Sequence, residues 1–229
     1  MTIPNADSLV FMDVETTGLD PRRERIIEVF LLRVDRSGKV SEFETLIHPE
    51  RPIPGIITKI TGLTDEDVAD APKEADIVHE IRDFIGNGIP VAHNLPFDRG
   101  FFNAMFTRNN QMPLNAAGID TLVLSRQLFP KLCIYPGGGG SHKLSNLMYH
   151  FELEKAFANS HRAKDDVMLL VEVYRRLQGY ASGRTGVAYP PAVTHGCPTC
   201  GAVMKMEYSG SERILVCTKQ PACVERLVV

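Results

Sequence analysis

The sequence predicts an α/β fold, a mixed sheet flanked by helices, with a small cysteine-rich unit at its C-terminal end. Three observations carry this. A near-continuous apolar run, Ser8–Val14, opens the chain, and two strand-like segments joined by a tight turn follow it. Beyond them, short apolar strands alternate with helical patterns. Four of the five cysteines lie at Cys197, Cys200, Cys217 and Cys223.

Each element has its own signal. Ser8–Val14 is apolar at almost every position, as expected of a central strand covered on both faces. Ile26–Asp35 and Lys39–Ile47, separated by Arg36, Ser37 and Gly38, read as a hairpin. Ala75–Ile85 carries Ile77, Val78, Ile81, Phe84 and Ile85 at helical spacing, and Gly86-Asn87-Gly88 stops it. Ile89–Ala92 reads as a short strand, Phe97–Asn109 as a helix bearing Phe101, Phe102, Met105 and Phe106, and Gly118–Leu122 as another strand. Helices are expected over Leu122–Phe129, Lys143–Phe151 and His161–Gln178.

The four glycines 137–140 have high backbone freedom and read as a mobile loop. They lack the Lys-Ser/Thr ending of a phosphate-cradling loop. From Ala181 to His195 the composition shifts to Gly, Ser, Pro and small residues, the signature of a linker. The expected organisation is therefore a main domain over 1–180, a linker over 181–195 and a small unit over 196–229.

With 44% hydrophobic and 23% charged residues, the 229-residue chain has the composition of an ordinary globular protein. Its apolar runs are too short to span a bilayer. Met1–Asp7 lacks the basic start and apolar core of an export signal, so a cytoplasmic protein is expected. The formal net charge of −3 argues against a protein that coats nucleic acid through bulk positive potential. It leaves room for an enzyme that grips a strand end locally.

The most informative segment is Phe11-Met12-Asp13-Val14-Glu15-Thr16-Thr17-Gly18. An apolar strand acquires two acids two residues apart, which puts Asp13 and Glu15 on one side of an extended chain. At the end of a buried strand such carboxylates repel each other and lose hydration, and a bound divalent cation relieves both penalties. Solvation at a strand end is the plain alternative. A second segment, Val91-Ala-His93-Asn94-Leu-Pro-Phe97-Asp98, places an acid near a helix start, where Asp98 could serve only as a cap. In a third, His161 and Asp166 open the last long helix, little more than one turn apart.

Taken together these segments resemble the DEDD superfamily of exonucleases in its histidine subclass. That superfamily has the ribonuclease H-like fold of polymerase proofreading domains, the replicative proofreading subunit, RNase T and oligoribonuclease. Asp13-x-Glu15-x-Thr17-Gly18 resembles its first motif, His93-Asn94-x-x-Phe97-Asp98 its second and His161-x-x-x-x-Asp166 its third. Ile119-Asp120-Thr121 and Lys143-Leu-Ser-Asn-Leu147 are similar to connecting segments of the proofreading-subunit branch.

The resemblance spans roughly residues 8–180 and implies a metal-dependent 3′→5′ exonuclease that releases 5′-mononucleotides. It implies that Asp13, Glu15, Asp98 and Asp166 hold two Mg²⁺ or Mn²⁺ ions, for which hard oxygen ligands are suited. His161 is implied as the general base, since an imidazole titrates near neutral pH. The register from His161 selects Asp166 over Asp165. Around the substrate, the backbone at Thr16 and Thr17 is implied to meet the terminal nucleotide. Leu19 is implied to separate the last two bases, and Asn94 and Phe97 to contact sugar or base. Phe101 and Phe102 read as core. Thr61 stands where many relatives have a nucleotide-binding histidine, and His142 is a candidate substrate contact beside the glycine loop.

Cys197-Pro-Thr-Cys200-Gly and Cys217-x₅-Cys223 suit a tetrahedral zinc site built from two knuckles. In so small a unit, one structural Zn²⁺ would supply most of the folding free energy. Two disulfides are the alternative. The spacing resembles the C-terminal zinc ribbons of type IA topoisomerases, which implies single-stranded DNA binding. The ribbon's weak positive charge leaves protein docking or a purely structural role open. Cys133 reads as a small buried hydrophobe.

The expected partner is nucleic acid, foremost a single-stranded DNA 3′ end, with a polymerase or repair complex behind it. A proofreading subunit, an RNA-trimming enzyme and a non-catalytic nucleic-acid-binding module are the competing readings.

Overall fold

A computed structural model describes residues 8–114, 117–130, 132, 142–157 and 160–182, together with the strand backbones 204–209, 212–217 and 226–228. Cys133, the glycine loop, most of the linker, and Cys197, Cys200 and Cys223 lie outside the described residues.

The sheet begins with a meander. β1 (Ser8–Thr16), β2 (Ile26–Asp35) and β3 (Val40–Leu46) pair antiparallel in succession. β4 (Ile89–Ala92) and β5 (Ile119–Asp120) then add in parallel, giving the order β3-β2-β1-β4-β5. This is the mixed sheet that the hairpin and alternation predict. β1 lies at its centre. The glycines before β4 and β5 permit close approach, because a Cβ at Gly88 would fall 2.4 Å from Val10 Cγ2 and one at Gly118 would fall 2.3 Å from Leu95 Cδ2.

The period-two geometry of β1 divides the core. Val10, Met12 and Val14 face a cluster with helix α2 (Glu74–Ile85) and helix α3 (Leu95–Arg108), which contribute Ile77, Val78, Ile81, Phe101, Phe102, Met105 and Phe106. Phe11 faces the opposite cluster. There helix α5 (Leu144–His150) and helix α6 (Ala163–Ala181) pack with Phe30 and Leu32 of β2, beside helix α4 (Thr121–Leu128). Asp13 and Glu15 share the parity of Phe11, so they project toward the α6 face. Parallel pairing of β1 with β4 ends at Phe11↔Val91, and beyond it β1 pairs with β2 alone. The two acids therefore stand where the sheet splays.

Several boundaries differ from those predicted. A short helix, α1 (Gly55–Thr61), follows the hairpin; seven residues after a proline carry too little periodicity to announce it. The strand expected over Gly118–Leu122 keeps only two residues, because the Asp120 side chain accepts from Leu122 N and Val123 N and caps α4. α3 begins at Leu95 behind Asn94, so Asp98 lies inside the first turn and does not cap it.

The last helix starts at Ala163. His161 lies outside it, at φ 55°, a left-handed conformation that cannot continue a right-handed helix. A separate three-stranded antiparallel sheet follows in sequence: β6 (Met204–Ser209), β7 (Glu212–Cys217) and β8 (Arg226–Val228). Cys217 is the last residue of β7. No helix among the described residues is long and apolar enough to cross a membrane.

Candidate active site

Carboxylate oxygens of Asp13, Glu15 and Asp166 lie within 4.8 Å of one another. Two come from the end of the central strand. The third comes from the first turn of α6, where the positive end of the helix dipole favours a carboxylate. Asp166 is buried, whereas its neighbour Asp165 is exposed and accepts from Ser160 Oγ at 2.6 Å.

Asp98 approaches from the other side of the sheet, on the first turn of α3. Its side chain is buried, and Oδ1 has no hydrogen-bond partner. A buried, ionised carboxylate oxygen without a donor is costly, and a bound cation would relieve that cost.

Electrostatics ties these groups together. Burial pushes the Asp13 carboxyl well above its usual range, and the charges of Asp98, Asp166, Glu15 and Glu28 push it further. Glu15 is pushed up to about 8, first by burial and then by Asp166, Glu28 and Asp98, with Arg162 opposing. Burial also raises Asp98 to about 8, against backbone hydrogen bonds at Asp98 and Val14 that favour its ionised form. Near neutral pH the cluster resists carrying its full negative charge until a cation joins it. The donor set, all hard oxygen, suits Mg²⁺ or Mn²⁺.

The flanking residues are placed as follows. Thr17 Oγ1 donates to Glu24 Oε2 at 2.6 Å and accepts from Arg25 N at 3.0 Å, while Thr16 Oγ1 donates to Gly18 O at 2.6 Å. These bonds close the turn after β1 and leave Leu19 at its tip, 83% exposed. Asn94 is exposed at φ 75°, a conformation that asparagine tolerates, and its N–H donates to Asp120 Oδ1 at 3.1 Å. Phe97 is half-buried, its ring 5.0 Å from that of wholly buried Phe101.

His161 is exposed immediately upstream of α6. Thr61 is buried, its hydroxyl occupied by Ile57 O and Leu63 N. His142 is likewise buried, with Nδ1 on Ser125 Oγ at 3.1 Å, so the candidate substrate contact is enclosed in the fold.

Sequence reasoning missed Glu28 and Arg162. Glu28 pairs with Glu15 across β1–β2, is 3% exposed, and receives Nε and Nη2 of Arg162. An acid inside the run Ile26-Ile27-Glu28-Val29-Phe30 was the available signal, but only the strand register shows what it faces. His93, also left without a role, ties the end of β4 to α4 and to the segment before α5. Nε2 donates to His142 O at 2.7 Å and Nδ1 meets Thr121 Oγ1 at 2.9 Å, with burial lowering its pKa to about 4.

Comparison with known proteins gives the family. The exonuclease family RNase_T matches residues 10–174. DNA polymerase III subunit epsilon of Treponema pallidum is 34% identical over 174 residues, 76% of this chain and 78% of that protein. The PolC-type DNA polymerase III of Latilactobacillus sakei is 35% identical over 164 residues, 72% of this chain but only 11% of that much longer protein. Escherichia coli exonuclease I, solved with a dT13 oligonucleotide, shares the fold at TM-score 0.65 and 19% identity, over 78% of this chain and 42% of its own. The chain belongs to the exonuclease family, and residues 10–174 form a DEDD-type 3′→5′ exonuclease domain resembling the epsilon subunit of DNA polymerase III.

Proposed function

We propose that the protein removes nucleotides one at a time from single-stranded DNA 3′ ends, releasing 5′-mononucleotides. The observation that carries this reading is the meeting of the Asp13, Glu15 and Asp166 oxygens within 4.8 Å of one another. Asp98, with its unpartnered buried oxygen, completes the donor set. In this reading these four carboxylates hold two Mg²⁺ or Mn²⁺ ions, which when bound stabilise the entering and leaving oxygens of an in-line displacement at phosphorus.

The chain's own groups do the rest. His161, exposed beside the cluster's helix, takes the proton of the attacking water as its oxygen bonds to phosphorus. The bond to the 3′-oxygen of the penultimate nucleotide breaks, and that oxygen leaves on the shortened strand. The turn at Thr16 and Thr17 offers backbone to the terminal nucleotide, and exposed Leu19 wedges beside its base. Asn94 and Phe97 border the same nucleotide. A single-stranded DNA substrate is supported by the fold shared with a dT13-bound exonuclease. Likeness to an epsilon subunit supports the second reading, a proofreading subunit held by a polymerase.

For the C-terminal unit we propose a zinc ribbon, with Cys197, Cys200, Cys217 and Cys223 holding one Zn²⁺. Its three antiparallel strands, with Cys217 ending one of them, are consistent with that architecture. The domains would then run 1–180, with a linker at 181–195 and the ribbon at 196–229.

The test compares matched 3′-labelled DNA and RNA oligonucleotides in Mg²⁺ and Mn²⁺. Mononucleotide release from DNA is expected, with a loss of at least about 10³-fold for Asp13→Ala. Wild-type rates in Asp13→Ala would refute the site, and preference for RNA would refute the substrate. Metal analysis of the same preparation should find one zinc per chain, released by Cys217→Ser. An unchanged zinc content in that variant would exclude the ribbon assignment.

A further inference from the structure

Glu28 differs from every carboxylate in the cluster it borders. Both its oxygens are already saturated by the protein. Oε1 accepts from Arg162 Nε at 3.0 Å and Nη2 at 2.6 Å, while Oε2 accepts from Arg162 Nε at 3.1 Å and from Ala163 N at 3.0 Å. It is therefore poorly available as a metal ligand, although it lies one strand from Glu15.

Its contacts fasten β2 to the two residues that follow His161. The next residue is anchored as well, since Lys164 Nζ donates to Glu44 Oε2 at 2.8 Å on β3 and lies 5.2 Å over the Phe30 ring. On the other side, Ser160 Oγ donates to Asp165 Oδ2 at 2.6 Å and ties the approach to the helix. Between these anchors His161 occupies the left-handed region at φ 55°. A non-glycine residue persists there only when its surroundings over-determine it, and such strain clusters at functional positions. An ion pair whose arginine is 44% exposed adds little net stability, so its value here is geometric.

We infer that Glu28, acting through Arg162, is a positioning residue that sets where the His161 imidazole stands relative to the Asp13–Glu15–Asp166 carboxylates. This inference rests on the reading of His161 as the general base. Glu28 touches neither substrate nor reacting atoms. It fixes the backbone from which His161 projects, and an error of about 1 Å in such a group costs about 100-fold in rate.

The test uses the full chain with Mg²⁺ and a 3′-labelled single-stranded oligonucleotide. Glu28→Gln should lower kcat about 10- to 100-fold, leave KM within about twofold, and leave Mn²⁺ affinity by calorimetry within about twofold. The decisive measurement is the same substitution in a His161→Ala background under single-turnover conditions. There it should cost less than about twofold, because the group it positions is gone. Arg162→Lys, which keeps the charge but loses the fork, should repeat the pattern and replaces Glu28→Gln should that variant fail to fold.

Equal losses with and without His161, or an unchanged kcat, would overturn the inference. If His161→Ala itself kept the wild-type rate, the assignment of the base would fall first. A dead His161→Ala beside a fully active Glu28→Gln would overturn the positioning role alone.

Discussion

Two regions bury carboxylates in this protein, and they treat them in opposite ways. On the α2–α3 side Glu74 is 8% exposed and gripped by Arg108, whose Nη2 reaches Oε1 at 2.6 Å and whose Nε reaches Oε2 at 2.9 Å, with Arg25 at 4.0 Å. Glu28, gripped by Arg162, follows the same pattern. At the splayed end of β1, by contrast, burial raises the pKa values of Asp13, Glu15 and Asp98, and neighbouring carboxylates push Asp13 and Glu15 further. A chain that places arginines against two of its buried acids has the means to neutralise the others. Where it gathers Asp13, Glu15 and Asp98 with no matching fork among the described residues, a bound cation would supply the counter-charge.

The sharpest way to break that comparison is to remove one acid from each class. Glu74→Gln strands the Arg108 and Arg25 charges, so stability should fall by about 2–4 kcal/mol in urea unfolding while kcat stays within about twofold. A stability unchanged within error would mean that the Arg108 fork is ornamental and that the contrast has no energetic content.

A smaller effect sharpens the other half. Glu15 and Asp98 titrate near 8 when folded, against about 4 when unfolded, so between those values the folded state holds more protons. Their contribution is neutral below about pH 4 and becomes progressively destabilising as pH rises toward about 8. Chelated protein should therefore lose this part of its stability over that window, and Mg²⁺ should restore it. Asp98→Asn should raise the metal-free melting temperature at pH 7.5 by about 2–8 °C and change it little at pH 4. Comparing variant with wild type at each pH cancels the opposite trend from His93, which titrates at about 4. A metal-free Asp98→Asn that melts lower than wild type at pH 7.5 would show that burial of the Asp98 charge does not destabilise the metal-free fold.

Much of this architecture was legible from local chemistry. The run Ser8–Val14 could only be a strand covered on both faces, and the turn at residues 36–38 closed the β2–β3 hairpin where expected. Helix α2 was readable because its apolar residues recur every three or four positions. Elements whose ends depend on side-chain hydrogen bonds were less visible. Asp120 shortens β5 by capping α4, and left-handed His161 delays α6. His142 stands near a glycine-rich stretch in sequence, yet its ring is committed to Ser125.

The sequence by itself determined the parts of the site. Asp13 and Glu15 share a face because a strand repeats every two residues, a local periodicity fixed before the chain closes on itself. The helical spacing expected of His161 and Asp166 did not hold, because His161 is left-handed and lies ahead of α6. Only the tertiary structure decided which acids would be neutralised. The β1–β2 register sets Glu28 beside Glu15, the packing of α6 brings Arg162 and Asp166 to opposite fates a turn apart, and α3 delivers Asp98 from the far face of the sheet. Charge compensation acts through space over a few ångströms, and neighbours at that range are set by packing.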